Sequence, residues 1–261
     1  MKLRVVQWNI GGGKIRDIDS DPIKTVGAIT NSYSNEGLEY IIERLKEYSP
    51  DIITLEEAHE DSARIQAEVI AKSLGLDYWI NDFYCNSHVE KGQKLCQAII
   101  SRFPLSDHSF DLFYNPHARF ITEAGEEWIS LDKGYSFVEA ALPNDTRLGI
   151  GVLHAIPFRR FGLDYSGDDT QKILKNMEEV ILKKRVFPMI LGGDFNINDE
   201  SLKTYFPNLM SKLDEIILTE PTNPKGRKYD HILFSGLKLN QFNIHSDTLT
   251  DHYPVSAEFE I

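Results

Sequence analysis

Cysteine is scarce in this chain, with two in 261 residues, which excludes a disulfide-stapled fold. Cys85 and Cys96 could form a single pair, but their context reads as free thiols in a reducing compartment. Long hydrophobic runs are missing too: nothing approaches the roughly 20 apolar residues that a membrane-spanning helix needs. The opening Met1-Lys2-Leu3-Arg4-Val5-Val6-Gln7-Trp8-Asn9 reads as a first strand and carries no secretory h-region or cleavage site. A cytoplasmic location is expected. Basic residues are in deficit, with 28 Lys and Arg against 40 Asp and Glu and a net charge of −12. A chain this acidic is not a natural duplex coat, because non-specific duplex binding draws on a basic surface. Repeats and low-complexity tracts are also absent. The remainder is ordinary globular composition, 41% hydrophobic and 26% charged. At this length one large α/β domain or two small ones both fit.

Strand and helix signals interleave without a linker-like break. Residues 3–8, 51–55, 98–101, 135–142, 148–153, 229–234, 238–244 and 254–260 read as strands. Leu38, Ile41, Ile42, Leu45 and Tyr48 recur at helical spacing and stop before Pro50. A second amphipathic helix is expected over 60–74, with Gly75 as its stop, and a third over 170–184, with Asp168, Asp169 or Thr170 as N-cap. A short helix is expected near 199–206. The segments 11–37, 82–95 and most of 106–134 read as loops.

The stretch Phe187-Pro188-Met189-Ile190-Leu191-Gly192-Gly193-Asp194-Phe195-Asn196 carries the strongest local message. A buried strand ends in two glycines, then presents a carboxylate and a carboxamide that alternation places on one side. Four other strand ends or strand starts have polar residues: Asn9, the pair Glu56-Glu57, His154, and Asp251-His252. Each alone reads as a turn residue, a cap or a satisfied structural histidine. Together they supply what phosphoryl chemistry requires: oxygen ligands for a hard cation, two imidazoles and an Asp-Asn pair.

The order and wording of these segments resemble the endonuclease/exonuclease/phosphatase superfamily, which includes deoxyribonuclease I. Trp8-Asn9 matches the family's opening, and Pro50 through Glu57 matches its Pro-Asp-Ile-Ile-x-Leu-Gln-Glu, with Glu56 in the Gln place. Ile100-Ser101-Arg102-Phe103-Pro104 matches Leu-Ser-Arg-x-Pro, and His154 falls on the strand-end histidine. Gly193-Asp194-Phe195-Asn196, Tyr229-Asp230-His231-Ile232 and Thr250-Asp251-His252-Tyr253-Pro254-Val255 follow in family order. The likeness spans residues 3–258. Departures are Thr250 for Ser, Leu153 and Ala155 around the histidine, Glu56 for Gln, and His231 for a common Tyr or Arg.

The resemblance implies one α/β domain over 1–261, a four-layer sandwich of two mixed β-sheets packed face to face with helices outside. It implies a metal-dependent hydrolase of phosphate esters, foremost a phosphodiesterase or nuclease, with Mg²⁺ as cofactor and Mn²⁺ able to stand in. Glu57, Asn9 and Asp251 take the metal-ligand places, which suits the octahedral oxygen preference of Mg²⁺. His252 is oriented by Asp230, and His154 stabilises developing charge or protonates the leaving group. Asp194 orients the water, and Asn196 holds the phosphate or Asp194 itself. Which histidine is acid and which is base stays open. A zinc site lacks close ligand spacings such as His-x-x-x-His.

Arg102 and Arg119 are candidate phosphate clamps, although Arg102 reads equally as pinning its own turn before Pro104. The basic run Lys225-Gly226-Arg227-Lys228 is either a solvated turn or a phosphate contact; Lys183-Lys184-Arg185 reads as a solvated helix end. Phe83, Tyr84, Phe113, Tyr114, Phe158 and Phe161 lie in or near loops expected to rim the site, as stacking surfaces or packing anchors. The expected partner is a phosphate-ester substrate, with nucleic-acid ends or single strands among the candidates. The alternatives are a phosphatase or phospholipase-type hydrolase of inositol phosphates or sphingomyelin, and a non-catalytic binding module on the same fold.

Overall fold

The structure, a computed structural model, describes residues 1–19, 33–122, 125–143, 145–199 and 201–261. Of the glycine-rich loop expected over 11–37, residues 20–32 lie outside the described residues. The strands in chain order are β1 (Lys2–Asn9), β2 (Lys14–Ile15), β3 (Asn35–Glu36), β4 (Ile52–Glu60), β5 (Tyr78–Asn86) and β6 (Lys94–Ser101). Next come β7 (Leu105–Leu112), β8 (Arg119–Ile121), β9 (Glu127–Ile129), β10 (Gly134–Ala141) and β11 (Arg147–His154). The last are β12 (Met189–Asp194), β13 (Asp214–Glu215), β14 (Asp230–Ser235), β15 (Lys238–Ile244) and β16 (Val255–Glu260). Among the described residues the α-helices are α1 (Leu38–Tyr48), α2 (Gln66–Leu74) and α3 (Asp168–Lys183).

Two six-stranded mixed sheets form the body, in orders β15-β16-β1-β4-β6-β5 and β13-β14-β12-β11-β10-β7. Central strands are apolar on both faces, and alternate residues serve two cores. On β1, Leu3 and Val5 enter the core between the sheets, with Ile52, Ile99, Val138, Ile150, Val152, Ile190 and Ile232. Val6 and Trp8 point the other way, against Leu38, Ile41, Ile42 and Leu45 of α1 and Ile70 of α2. The second sheet repeats the scheme: Leu153, Leu191 and Leu233 meet Ile173, Leu174, Met177 and Ile181 of α3. Each such side chain, fully buried, contributes about 2 kcal/mol of apolar transfer. The result is the expected four-layer α/β sandwich.

Helix ends follow local chemistry. Ser49 closes α1 in the left-handed conformation (φ 48°) just ahead of Pro50, and Gly75 closes α2 likewise (φ 64°). No side chain caps α3; Gly167 stands at its N-cap, and Asp168 and Asp169 fill the first turn, where their charge favours the helix dipole.

The expected N-cap at Asp168, Asp169 or Thr170 is thus not formed, and three further expectations fail. The second helix starts at Gln66 rather than near 60, because β4 continues past a bulge between Leu55 and Ala58 and pairs Ala58, His59 and Glu60 with β6. Residues 201–212 form turns, not the helix expected near 199–206. The supposed loops 82–95 and 106–134 contain much of β5 and β7 and all of β8 and β9. Because β5 and β7 are sheet edges, their polar, half-exposed sequences lack the apolar run of a central strand.

Candidate active site

Register brings the polar strand ends together. In parallel pairs Asn9 lies beside Glu56, and His154 beside Asp194; antiparallel pairing sets Asp194 opposite Asp230. The sheets then meet face to face at this end. A Cβ on Gly192 would lie 2.3 Å from Thr54 Oγ1 and 3.0 Å from Gln7 Cγ. Only glycine permits that approach, so its value here is space, not an unusual φ. Asn9 Nδ2 of the first sheet consequently reaches Asp194 Oδ2 of the second at 3.1 Å.

Asp194 is the hub. The backbone N–H of Asn196 donates to its Oδ1 at 2.9 Å, with Asn196 itself at φ 52° and its Nδ2 donating to the Ala155 carbonyl at 3.0 Å. His154 Nε2 and His252 Nε2 stand 3.6 and 3.8 Å from Asp194 Oδ2. Burial, reinforced by the Asp230 charge, pushes the Asp194 carboxyl up to about 7, against the opposing pull of His252, Asn196 and Asn9. A carboxylate near neutrality is matched to accepting a proton from water.

The histidines differ behind their Nε2 atoms. His252 Nδ1 lies 2.9 Å from Asp230 Oδ2; burial works against its charge, but Asp230 and Asp194 raise it well above the ordinary histidine value. His154 Nδ1 meets Lys133 Nζ at 3.0 Å and the Tyr84 hydroxyl at 3.1 Å. Burial and then Lys133 hold it well below the ordinary value.

Below Asp230, Gln7 Nε2 donates to Glu56 Oε2 at 2.8 Å and to Asp230 Oδ1 at 3.3 Å. Glu56 is fully buried, and desolvation with the Asp230 and Asp194 charges raises it well above the carboxylate range. The shift favours the protonated carboxyl, the form nearer in charge to the Gln of the family motif. Its neighbour Glu57 is turned outward at the bulge with φ 54°. Burial pushes Glu57 up, but His88, Lys133, His154 and His252 outweigh it and keep the carboxyl well below its usual range. Glu57 is thus an anion facing the cluster.

A cation fits this donor set. Asp251 Oδ1 is buried with no hydrogen-bond partner, and a Cβ on Gly11 would lie 2.8 Å from it. Burial raises the Asp251 carboxyl, and the Glu57 charge adds to the effect. Two hard oxygens that repel one another are what a divalent ion relieves. A second grouping, Asp194, Asp230 and His252, brings ligand atoms within 4.8 Å of one another. There, however, the Asp230–His252 hydrogen bond already occupies two of the three.

Arg102 and Arg119 are not brought to the cluster. Arg102 Nε donates to Asp51 Oδ1 at 2.8 Å, and its backbone N–H to the Asp51 carbonyl. It thereby pins the turn at the far end of β4 from Glu57. Arg119 pairs with Glu127 across β8 and β9 at 2.8 Å. His231 is buried on Glu215 at 3.1 Å and faces away from the hub. Of the basic run, Lys225 lies in the fields of Arg160, Asp251 and Arg227; burial and then Arg160 press it below the ordinary lysine value. Arg160 also sits 5.7 Å over the Trp128 ring, which meets His88 edge-on. Sequence reasoning missed Lys133, Gln7, His88 and Arg160. A lysine directly before the strand opened by Gly134 was the one available hint.

The sequence model of the Endonuclease/Exonuclease/phosphatase family matches residues 6–252. The chain belongs to that family. Family members are phosphoester hydrolases and typically depend on divalent metals. Among curated relatives, UPF0294 proteins of Vibrio campbellii and Vibrio cholerae are 25% and 23% identical over 141 residues. That stretch is 52% of this chain and 48% of each relative, so the chain spans about half the length of the curated relatives it matches. Among solved structures, a family protein of Beutenbergia cavernae superposes with a TM-score of 0.67 at 17% identity, covering 100% of this chain and 72% of that one. The human Nocturnin catalytic domain with bound sulfate gives 0.65 at 16%, covering 99% and 93%. A mannosyl-6-phosphatase of Bacteroides thetaiotaomicron gives 0.62 at 15%, covering 99% and 100%. These likenesses establish the fold.

Proposed function

We propose that this protein is a Mg²⁺-dependent phosphodiesterase or nuclease whose residues 1–261 act as one catalytic unit. The observation that carries the reading is the convergence of two histidines with opposite Nδ1 partners on one buried carboxylate, together with the unpartnered oxygen of Asp251. Glu57, Asp251 and Asn9 would hold the ion, with Mn²⁺ able to replace it. When bound, Mg²⁺ supplies positive charge to a phosphate that is itself an anion.

The chain's own groups divide the remaining work. Asp194 accepts a proton from the attacking water and holds it in line. His252, protonated on Asp230, donates to a phosphate oxygen as negative charge develops. His154 contributes an N–H from the other side of Asp194. Asn196 fixes Asp194 through its backbone N–H. In a water-poor site such preset donors need no reorganisation during reaction.

Net charge −12 favours single strands, nucleic-acid ends or small phosphorylated molecules over long duplexes. Arg160 and Lys225 supply local cations for such an anion. A second reading on the same observation is a phosphatase or phospholipase-type hydrolase of inositol phosphates or sphingomyelin. A panel of single-stranded DNA and RNA, nicked duplex, 5′-phosphotyrosyl DNA, inositol phosphates and sphingomyelin separates these. Glu57→Ala is expected to lower kcat by roughly 10²–10⁴, and EDTA to abolish turnover until Mg²⁺ or Mn²⁺ returns. Full activity in EDTA overturns the metal-dependent reading. Absence of Mg²⁺ binding by calorimetry, with no turnover on the panel, leaves a binding module.

A further inference from the structure

Lys133 has no role in the chemistry described so far, yet it is among the most buried charged residues of the chain, at 3% exposure. Its Nζ lies 3.0 Å from His154 Nδ1, 3.7 Å from Glu57 Oε1 and 4.9 Å over the Tyr84 ring. Burying an ammonium is costly unless it is paired and hydrogen-bonded. Here Glu57 is the one carboxylate partner among the described residues, and it sits beyond hydrogen-bond reach. The short contact goes instead to an imidazole nitrogen. That choice is the unusual feature.

An ammonium has three donors and no acceptor, so at Nδ1 it can only donate. Nδ1 must then offer its lone pair, and the proton of the neutral ring resides on Nε2. The Tyr84 hydroxyl, 4% exposed, reaches the same nitrogen at 3.1 Å. With Nδ1 already accepting from Lys133, the phenol can bond that nitrogen only by donating its O–H. Two donors thus crowd one side of the ring. On the other side Nε2 faces the gap between Asp194 Oδ2, at 3.6 Å, and Glu57 Oε1, at 3.7 Å.

We propose that Lys133, seconded by Tyr84, is a positioning residue that locks His154 as the Nε2–H tautomer, a fixed hydrogen-bond donor to a phosphate oxygen and not a general base. The tautomer follows from the contacts of Lys133; the phosphate as recipient rests on the hydrolase reading above. His252 shows the converse arrangement, with a carboxylate behind Nδ1. The proposal therefore resolves which imidazole can accept a proton from water: neither needs to, and Asp194 is left as the acceptor.

The direct test is long-range ¹H–¹⁵N correlation spectroscopy of the metal-free full chain with labelled histidine, at about pH 8, above the ordinary histidine range. His154→Gln identifies the signals. The expected result is the Nε2–H pattern for His154; an Nδ1–H pattern overturns the proposal. Lys133→Met is expected to mix the tautomers and to lower kcat roughly 10- to 100-fold, with KM nearly unchanged. Lys133→Arg, which keeps a donor, is expected to recover part of kcat. A folded Lys133→Met with unaltered tautomer and kcat overturns the proposal. The wild-type spectrum, assigned through His154→Gln, does not depend on Lys133→Met, so it decides the tautomer even where Lys133→Met does not fold. A wild-type Nε2–H pattern with no hydrolysis of any phosphoester supports the locked tautomer and overturns the hydrolase reading instead.

Discussion

His154 and His252 reach the same oxygen of Asp194 at nearly equal distances, 3.6 and 3.8 Å, yet their surroundings are opposites. A lysine and a phenol stand behind one ring, a carboxylate behind the other. His154 is buried and His252 largely so, and desolvation disfavours the charged form of each. The partner at Nδ1 decides the outcome: Asp230 overcomes burial at His252, and Lys133 adds to it at His154. Residue type is the same for the two, although His154 closes β11 and His252 lies in the turn before β16. Chemical role is set one layer further back.

The largest effect is expected from breaking the His252 half. Asp230→Asn keeps the shape but removes the charge that holds the imidazolium, and kcat should fall by roughly 10³–10⁴. The same change should leave the His154 tautomer untouched in the ¹⁵N spectrum. Loss of less than tenfold would mean that the two halves are not divided as described.

A smaller effect probes the shared carboxylate. Asp194 titrates at about 7 in the folded chain, against about 3.9 unfolded. The folded state keeps that proton to higher pH, so the associated stability is fully present below about pH 4 and is lost as pH rises through about 7. Asn cannot ionise. The Tm advantage of metal-free Asp194→Asn over the parent should therefore widen between about pH 5 and pH 8, by a few degrees in thermal melts. A constant difference across that window would contradict a raised Asp194.

The smallest effect lies outside the comparison. Arg102→Ala removes the ion pair to Asp51, in which the arginine side chain is 52% exposed. The expected cost is about 0.5–1 kcal/mol in urea unfolding, with kcat unchanged. A substantial fall in kcat would return Arg102 to the substrate path.

Much of the candidate site's residue set was legible along the chain because strand-end chemistry survives in one dimension. Asn9, Glu57, His154 and Asp194 each close or follow an apolar run, and His252 stands just ahead of one. The edge strands β5 and β7 were not legible, because half-exposed edges carry no continuous apolar signal. Glu56 is the subtler case. In sequence it is an extra negative charge; in the fold, burial and the Asp230 charge raise its carboxyl well above the ordinary carboxylate range.

The amino-acid order carries the inventory: which strands are buried on both faces, where they stop, and which oxygens and imidazoles stand at those stops. These are local properties, set by backbone periodicity and the preferences of a few residues. The partners of those groups come from across the molecule. Asn9 meets Asp194 over 185 positions because Gly192 lets the sheets close, and Lys133 and Tyr84 reach His154 from 21 and 70 positions away. Proton affinity depends on charges and burial within a few ångströms in space, so only the packed sandwich could distinguish one histidine from the other.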